Sequence, residues 1–424
     1  MLVPERYKLV AMSFLAVFIC YIDRVNISVA IIPMQEQFGW TESQVGLILG
    51  SFYFGYMFTM ALGGFLADKY GGKIVLAYGV FFWSIFTILT PAFAYSGFWL
   101  LIFIRILMGL GEGITFPSWH ALYARWIPFN ERTRAIAITN SGISAGTVFG
   151  YLATALIIRE YSWELVFYVF GIFGIVWVYF WHRSITSKPE DHPKILKSEL
   201  DLIQKEAPAK STADKIPLSK LICNGPFIAI VIATFCNNWA LFTFLSYLPK
   251  FINSPVSIGG LGIDLGSNLF IAIILLPSIV SVISLVTGGY IADILIKRGV
   301  KTIIVRKTAN SFGFYGAALC LYLISFQESI FNIVVLLCLT NLSSGIGAGG
   351  FGVNHADLGP KYTGSLVGIS GGLGMIAAIL SPIVAGLILE STNSWDLIFN
   401  ICCGALVFGG TFYLFFASSD KQFN

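Results

Sequence analysis

Twelve apolar stretches, each long enough to cross roughly 30 Å of hydrocarbon as a helix, leave this 424-residue chain few ways to fold. They run near 9–33, 45–66, 74–95, 98–124, 135–158, 163–182, 222–251, 268–292, 305–325, 329–354, 364–389 and 395–417. With 56% hydrophobic and only 11% charged residues, the chain has too little polar surface to cover a water-soluble globule, and it belongs in a bilayer. The first run follows Glu5, Arg6 and Lys8, is too long for a signal-peptide core and is followed by no small-residue cleavage site. It is therefore expected to stay as the first membrane helix.

The basic residues test the count of twelve independently. With both termini in the cytoplasm, alternate connections should be cytoplasmic and should hold the Lys and Arg. Of 26 such residues, Arg159 and Lys250 fall in connections assigned outside, Arg24 and Arg105 fall at membrane depth, and the other 22 lie inside. A wrong helix count would have scrambled that division.

The stretch from His182 to Lys220 is rich in charge and carries Pro189, Pro193, Pro208 and Pro217. It reads as a cytoplasmic linker, 183–221, between two six-helix bundles, 1–182 and 222–424. The bundles echo each other, since GGFLAD (Gly63 to Asp68) recurs as GGYIAD (Gly288 to Asp293) and SWELVF (Ser162 to Phe167) recurs as SWDLIF (Ser394 to Phe399). A parallel repeat of six-helix halves is the layout of secondary transporters that bind substrate at the midplane and rock one half against the other. The seven cysteines form no CxxC pair and have no His at ligand spacing, so they read as buried thiols with no metal implied. Nothing points to nucleic acid, to a cofactor or to enzymatic catalysis, and the chain is expected to be a monomer.

The motifs resemble a known family. GGFLADKYGGK (Gly63 to Lys73) is similar to the major facilitator loop signature, and YIDRVNISVAI (Tyr21 to Ile31), RILMGLGEGITFPS (Arg105 to Ser118), NWALFTFLSYLPKF (Asn238 to Phe251) and GFGVNHADLGPKYTGSLVGIS (Gly350 to Ser370) together resemble the anion:cation symporters. That group includes sialin, the vesicular glutamate transporters, plastid anion transporters and bacterial sugar-acid permeases. The resemblance implies an all-α major facilitator fold with twelve transmembrane helices. It also implies alternating access and a place in a bacterial cytoplasmic membrane, the opening being most similar to plastid and bacterial members and carrying no transit peptide. Asp68, and Asp293 in the repeat, match the rim positions that latch helix ends, and His355 reads as a gating or interface residue.

An ionisable residue at membrane depth is a functional hypothesis by default, because it is costly there unless it faces a cavity or a partner. Asp23, Arg24, Arg105 and Glu112 qualify. Arg24 is the candidate to hold an anionic group, since a guanidinium offers a planar fork and keeps its charge. Asp23 and Glu112 are the candidate proton carriers, with Arg105 beside them. The alternative is a static salt-bridge network pinning two helices. Arg105 and Glu112 are seven residues apart, about 10 Å along the axis, and so are not expected to pair. Asp23 and Arg24 point about 100° apart and should address different neighbours.

Tyr21, Tyr56, Asn237, Asn238 and Ser370 are lesser substrate-binding candidates, each also compatible with helix packing. Set against the family, Asn237 stands where vesicular glutamate transporters carry an arginine, Leu49 where they carry a histidine, and Gly371 where an asparagine is common. The loss of a second cationic clamp disfavours dianions. The leading expectation is proton-coupled symport of a small organic anion, a sugar acid or other monocarboxylate. A sodium-coupled phosphate or anion carrier is the alternative. A proton-antiport exporter is a weaker one, because NSGISAGTVFG (Asn140 to Gly150) lacks the proline of an antiporter motif.

Overall fold

The computed structural model describes residues 4–205, 221 and 223–423, so linker residues 206–220, with Pro208 and Pro217, lie outside the described residues. Among the described residues the regular structure is helical, as long runs of Leu, Ile, Val, Ala and Phe without polar alternation dictate in a lipid setting, where each backbone group must be satisfied within its own segment. The helices are α1 (Glu5–Phe38), α2 (Glu42–Tyr70), α3 (Gly72–Ser96), α4 (Phe98–Glu112), α5 (Thr115–Trp126), α6 (Phe129–Glu160), α7 (Trp163–Ser184) and α8 (Lys197–Lys205). They continue with α9 (Gly225–Asn253), α10 (Asn268–Lys297), α11 (Thr302–Ile324), α12 (Ile330–Gly347), α13 (Phe351–Leu358), α14 (Thr363–Thr392) and α15 (Asp396–Phe416).

Ten helical rods among the described residues are long and apolar enough to cross a membrane, and α2, bent by 49° between Glu42–Met60 and Leu62–Tyr70, makes an eleventh. The ninth expected stretch is occupied by α11, whose first turns carry Arg306, Lys307 and Asn310 and which falls short of the same apolarity. The fourth and tenth stretches are each two helices: α4 and α5 part at Gly113, and α12 and α13 part at Ala348–Gly350. Neither break was anticipated, because the apolar pattern runs straight through both.

The chain divides into two compact units. The first holds Met1–Gln37 and Ser51–Thr212. In it α3 packs on α4 and α7, around a buried cluster that includes Trp83, Trp119, Trp126 and Trp181. A row of glycines on α6 lets α1 approach closely; a Cβ on Gly146 would strike the Phe18 carbonyl oxygen. The linker helix α8 belongs to this unit, and its Glu199 carboxylate accepts hydrogen bonds from the Glu5 and Arg6 amides at 3.1 and 3.0 Å. It thereby satisfies two donors that a helix N-terminus leaves free. The Arg6 side chain meets the same carboxylate at 3.0 Å and Glu131 of α6 at 2.8 Å.

The second unit holds Phe38–Gly50 and Ala213–Asn424. Here α11 packs on α12 and α15, and α9 packs on α14 and α15. The partners of α11 repeat those of α3 in the first unit, so the sequence echo between halves is also an echo in packing. The start of α2 is tied into this unit by the Lys250 Nζ–Glu42 Oε2 pair at 2.5 Å and by the Ser43 amide, which donates to Glu390 at 2.8 Å. Both units present apolar side chains outward, among them Phe65, Trp99, Phe103, Val286 and Phe331. Such a surface is stable against lipid and not against water.

Candidate substrate and proton site

The first unit gathers four of the sequence candidates around one helix crossing. Gly55 of α2 and Gly109 of α4 meet there, and a Cβ on Gly109 would collide with the Phe52 carbonyl oxygen. Glu112 follows Gly109 by one turn at the end of α4 and reaches α1. Arg24 Nη2 donates to Glu112 Oε1 at 2.9 Å, and Cys20, one turn earlier on α1, donates its thiol to the same oxygen at 2.6 Å. Arg24 Nη2 also lies 3.7 Å from the Cys20 sulfur. The guanidinium carbon sits 4.5 Å from the Tyr21 ring, 4.6 Å from Tyr56 and 5.6 Å from Phe52. Arg24 is 5% exposed and Glu112 1%, so this ion pair stands in a low-dielectric setting where removing one partner strands the other.

Asp23 takes the other side of α1. It lies beside the Trp83 indole of α3, yet neither carboxylate oxygen, nor the Trp83 Nε1, has a hydrogen-bond partner among the described residues. Arg105 is also 1% exposed. It stacks on the Phe52 ring at 5.0 Å and reaches Met108 Sδ at 3.7 Å, and among the described residues no carboxylate pairs with it. The four ionisable residues are therefore one neighbourhood with a single ion pair, Arg24–Glu112.

The second unit places Asn237 and Asn238 mid-way along α9, both half-buried, with the Asn238 amide packed against Gly374 of α14. Ser370 of α14 and His355 of α13, expected to serve different purposes, are hydrogen-bonded to each other at 2.7 Å. Asp68 and Asp293 are exposed, and no hydrogen bond or ion pair involving either occurs among the described residues. The ion pair on α13 belongs instead to Asp357, which holds Arg306 of α11 at 2.8 Å. Sequence reasoning passed over Asp357, Cys20 and Phe52. The spacing of Cys20 to Arg24, four residues on one helix, was the available signal for the thiol. No group of three or more His, Cys, Asp or Glu able to hold a metal ion occurs among the described residues.

Residues 13–368 match the profile of the Major Facilitator Superfamily. The chain belongs to that superfamily. Within the superfamily it stands among the anion transporters: it is 35% identical to the probable anion transporter 4, chloroplastic, of Oryza sativa subsp. japonica, over 99% of this chain and 69% of that protein. It is 34% identical to the sodium-dependent phosphate transport protein 1, chloroplastic, of Arabidopsis thaliana, over 99% of this chain and 80% of that protein. Its fold matches a solved bacterial homolog of the human lysosomal transporter Spinster with a TM-score of 0.79 at 16% identity, covering 98% and 97% of the two chains. The protein is thus a multi-pass membrane protein of the major facilitator superfamily. These relatives are plastid proteins, and they lend no support to the expected bacterial cytoplasmic membrane.

Proposed function

We propose that the protein is a secondary active transporter that carries a small organic monoanion together with protons by alternating access. Arg24 grips the anion, and Glu112 and Asp23 carry the coupling protons. The observation that supports this most is that Glu112 occupies the Arg24 fork at 2.9 Å. A carboxylate already on the guanidinium is a competitor for an incoming anion. Protonating Glu112 removes the competitor and draws the anion in; its deprotonation on the other side restores the pair and expels the anion. The two ligands need not touch to be coupled, and the linkage must be reciprocal.

Asp23 carries its proton in this arrangement, since an unpaired charge inside the bundle costs several kcal/mol. Tyr21 and Tyr56 line the guanidinium and are the first side chains an anion on Arg24 would meet. Asn237, Asn238 and Ser370 are proposed as further substrate-binding residues, and both termini as cytoplasmic.

The test is Glu112→Gln in proteoliposomes. Accumulation driven by an imposed pH gradient is expected to vanish while substrate-for-substrate exchange persists. Wild-type accumulation in Glu112→Gln would make the carboxylate structural. A thermal-shift panel of sugar acids, other monocarboxylates and phosphate identifies the anion, and failure of every anion to stabilise the protein would count against the reading.

The similarity to a sodium-dependent phosphate transport protein supports one second reading, a sodium-coupled phosphate carrier built on the same arginine. Exchanging the proton gradient for a sodium gradient in the same vesicles separates the two.

A further inference from the structure

The proton and anion scheme leaves one group at its centre without a task, the Cys20 thiol. It is fully buried, and it points at the oxygen of Glu112 that also receives Arg24. Seven cysteines are scattered along the chain, and Cys20 is one of three that are fully or almost fully buried, with Cys236 and Cys402. Burial alone would make it a packing residue. The contact to a carboxylate that exchanges partners gives it more to do.

We propose that Cys20 is a positioning residue for Glu112. Cys20 and Arg24 lie four residues apart on α1 and present their donors on one face, so a single carboxylate oxygen can be held by both. When an anion takes Arg24, the protonated Glu112 loses its charged donor and would otherwise have no fixed position in the bundle. The thiol is neutral, does not compete for the anion, and keeps one hydrogen bond on the oxygen throughout. A group that leaves its partner and must return needs a fixed place to wait, and the thiol provides it. No bond is made or broken in this role; the thiol keeps its proton and donates it as a hydrogen bond.

This inference rests on the proton-coupled reading, and it separates from that reading experimentally. The infrared S–H stretching band of Cys20, isolated as the difference between wild-type and Cys20→Ser protein, is expected below the frequency of a free thiol and to move back toward it in Glu112→Gln. A band at the free-thiol frequency, or one indifferent to Glu112→Gln, overturns the assignment. In proteoliposomes supplied with radiolabelled gluconate or inorganic phosphate under a pH gradient, Cys20→Ala is expected to lower the maximal rate by up to about tenfold, the loss of one hydrogen bond to the carboxyl group. Half-saturation should change by less than about twofold, since Arg24 keeps its charge and its planar fork and loses only the long contact to the sulfur. Cys20→Ser, with a hydroxyl donor in the same place, should recover most of the rate. A maximal rate in Cys20→Ala equal to wild type, or a loss that Cys20→Ser does not relieve, overturns the positioning role. If the wild type moves neither anion, the transport reading fails while the infrared measurement still decides the bond.

Discussion

Asp23 and Arg24 are adjacent on α1, yet only Arg24 reaches Glu112, at 2.9 Å, while Asp23 turns to the Trp83 indole of α3. The 100° step between neighbouring helix positions is enough to give two consecutive charges two separate environments. One is paired and ringed by aromatics, and the other has no hydrogen-bond partner among the described residues.

Arg24→Lys keeps the charge and discards the planar fork. The half-saturation constant for a transported carboxylate is expected to rise by about tenfold or more, some 1.4 kcal/mol per decade. Concentration dependence of uptake in proteoliposomes measures it, and an unchanged constant removes Arg24 from the substrate site.

Asp23→Asn replaces a buried acid that makes no hydrogen bond among the described residues. Thermal unfolding should shift little, because the Asn amide oxygen can still face the Trp83 indole and no charge is stranded. Accumulation under a pH gradient should nevertheless be lost. A protein that unfolds early and still accumulates anion would show that Asp23 is structural.

Gly109→Ala places a methyl group against the Phe52 backbone and forces α2 and α4 apart. Overpacking of that kind costs about 1–3 kcal/mol, and the melting temperature in detergent should fall accordingly. Gly368→Ala on α14 meets nothing within 4 Å and should be neutral or gain about 0.5–1 kcal/mol of helix propensity. Equal melting temperatures for the two variants would contradict the close crossing.

Glu199→Ala uncaps the first turn of α1. Loss of a capping acceptor costs about 1–2 kcal/mol, so amide exchange at Glu5 and Arg6 should accelerate by roughly tenfold or more. Hydrogen-exchange mass spectrometry of the N-terminal peptide reads this directly. No change there would mean that α8 leaves the helix start as it was.

Much of this architecture is legible in the sequence because a bilayer permits so few solutions. Long apolar runs and the GGFLADKYGGK motif point to an all-helical membrane protein of the major facilitator fold. The four ionisable residues at membrane depth were legible for the same reason, each being costly without a purpose. The rotation of α1 that turns Arg24 toward Glu112 and Asp23 toward Trp83 was not: the α6 glycines allow α1 its close approach through backbone contacts, and no hydropathy pattern encodes it. The pairing of His355 with Ser370 was hidden in another way: the two residues were read for different purposes, and GAGGFG reads as close packing rather than as an interruption. Asp357 was lost among neighbours whose motif drew notice to the histidine.

The interruption after Glu112 carries a consequence of its own. The residue closes α4, and α5 begins three residues later on the same rod, so the negative end of one segment faces the positive end of the next and their partial charges of about half an electron largely cancel. The backbone beside Arg24 therefore adds little field of its own, and in the proposed scheme the grip on an anion rests on one side chain. A grip with a single origin can be released by a single event, the return of Glu112 to the guanidinium.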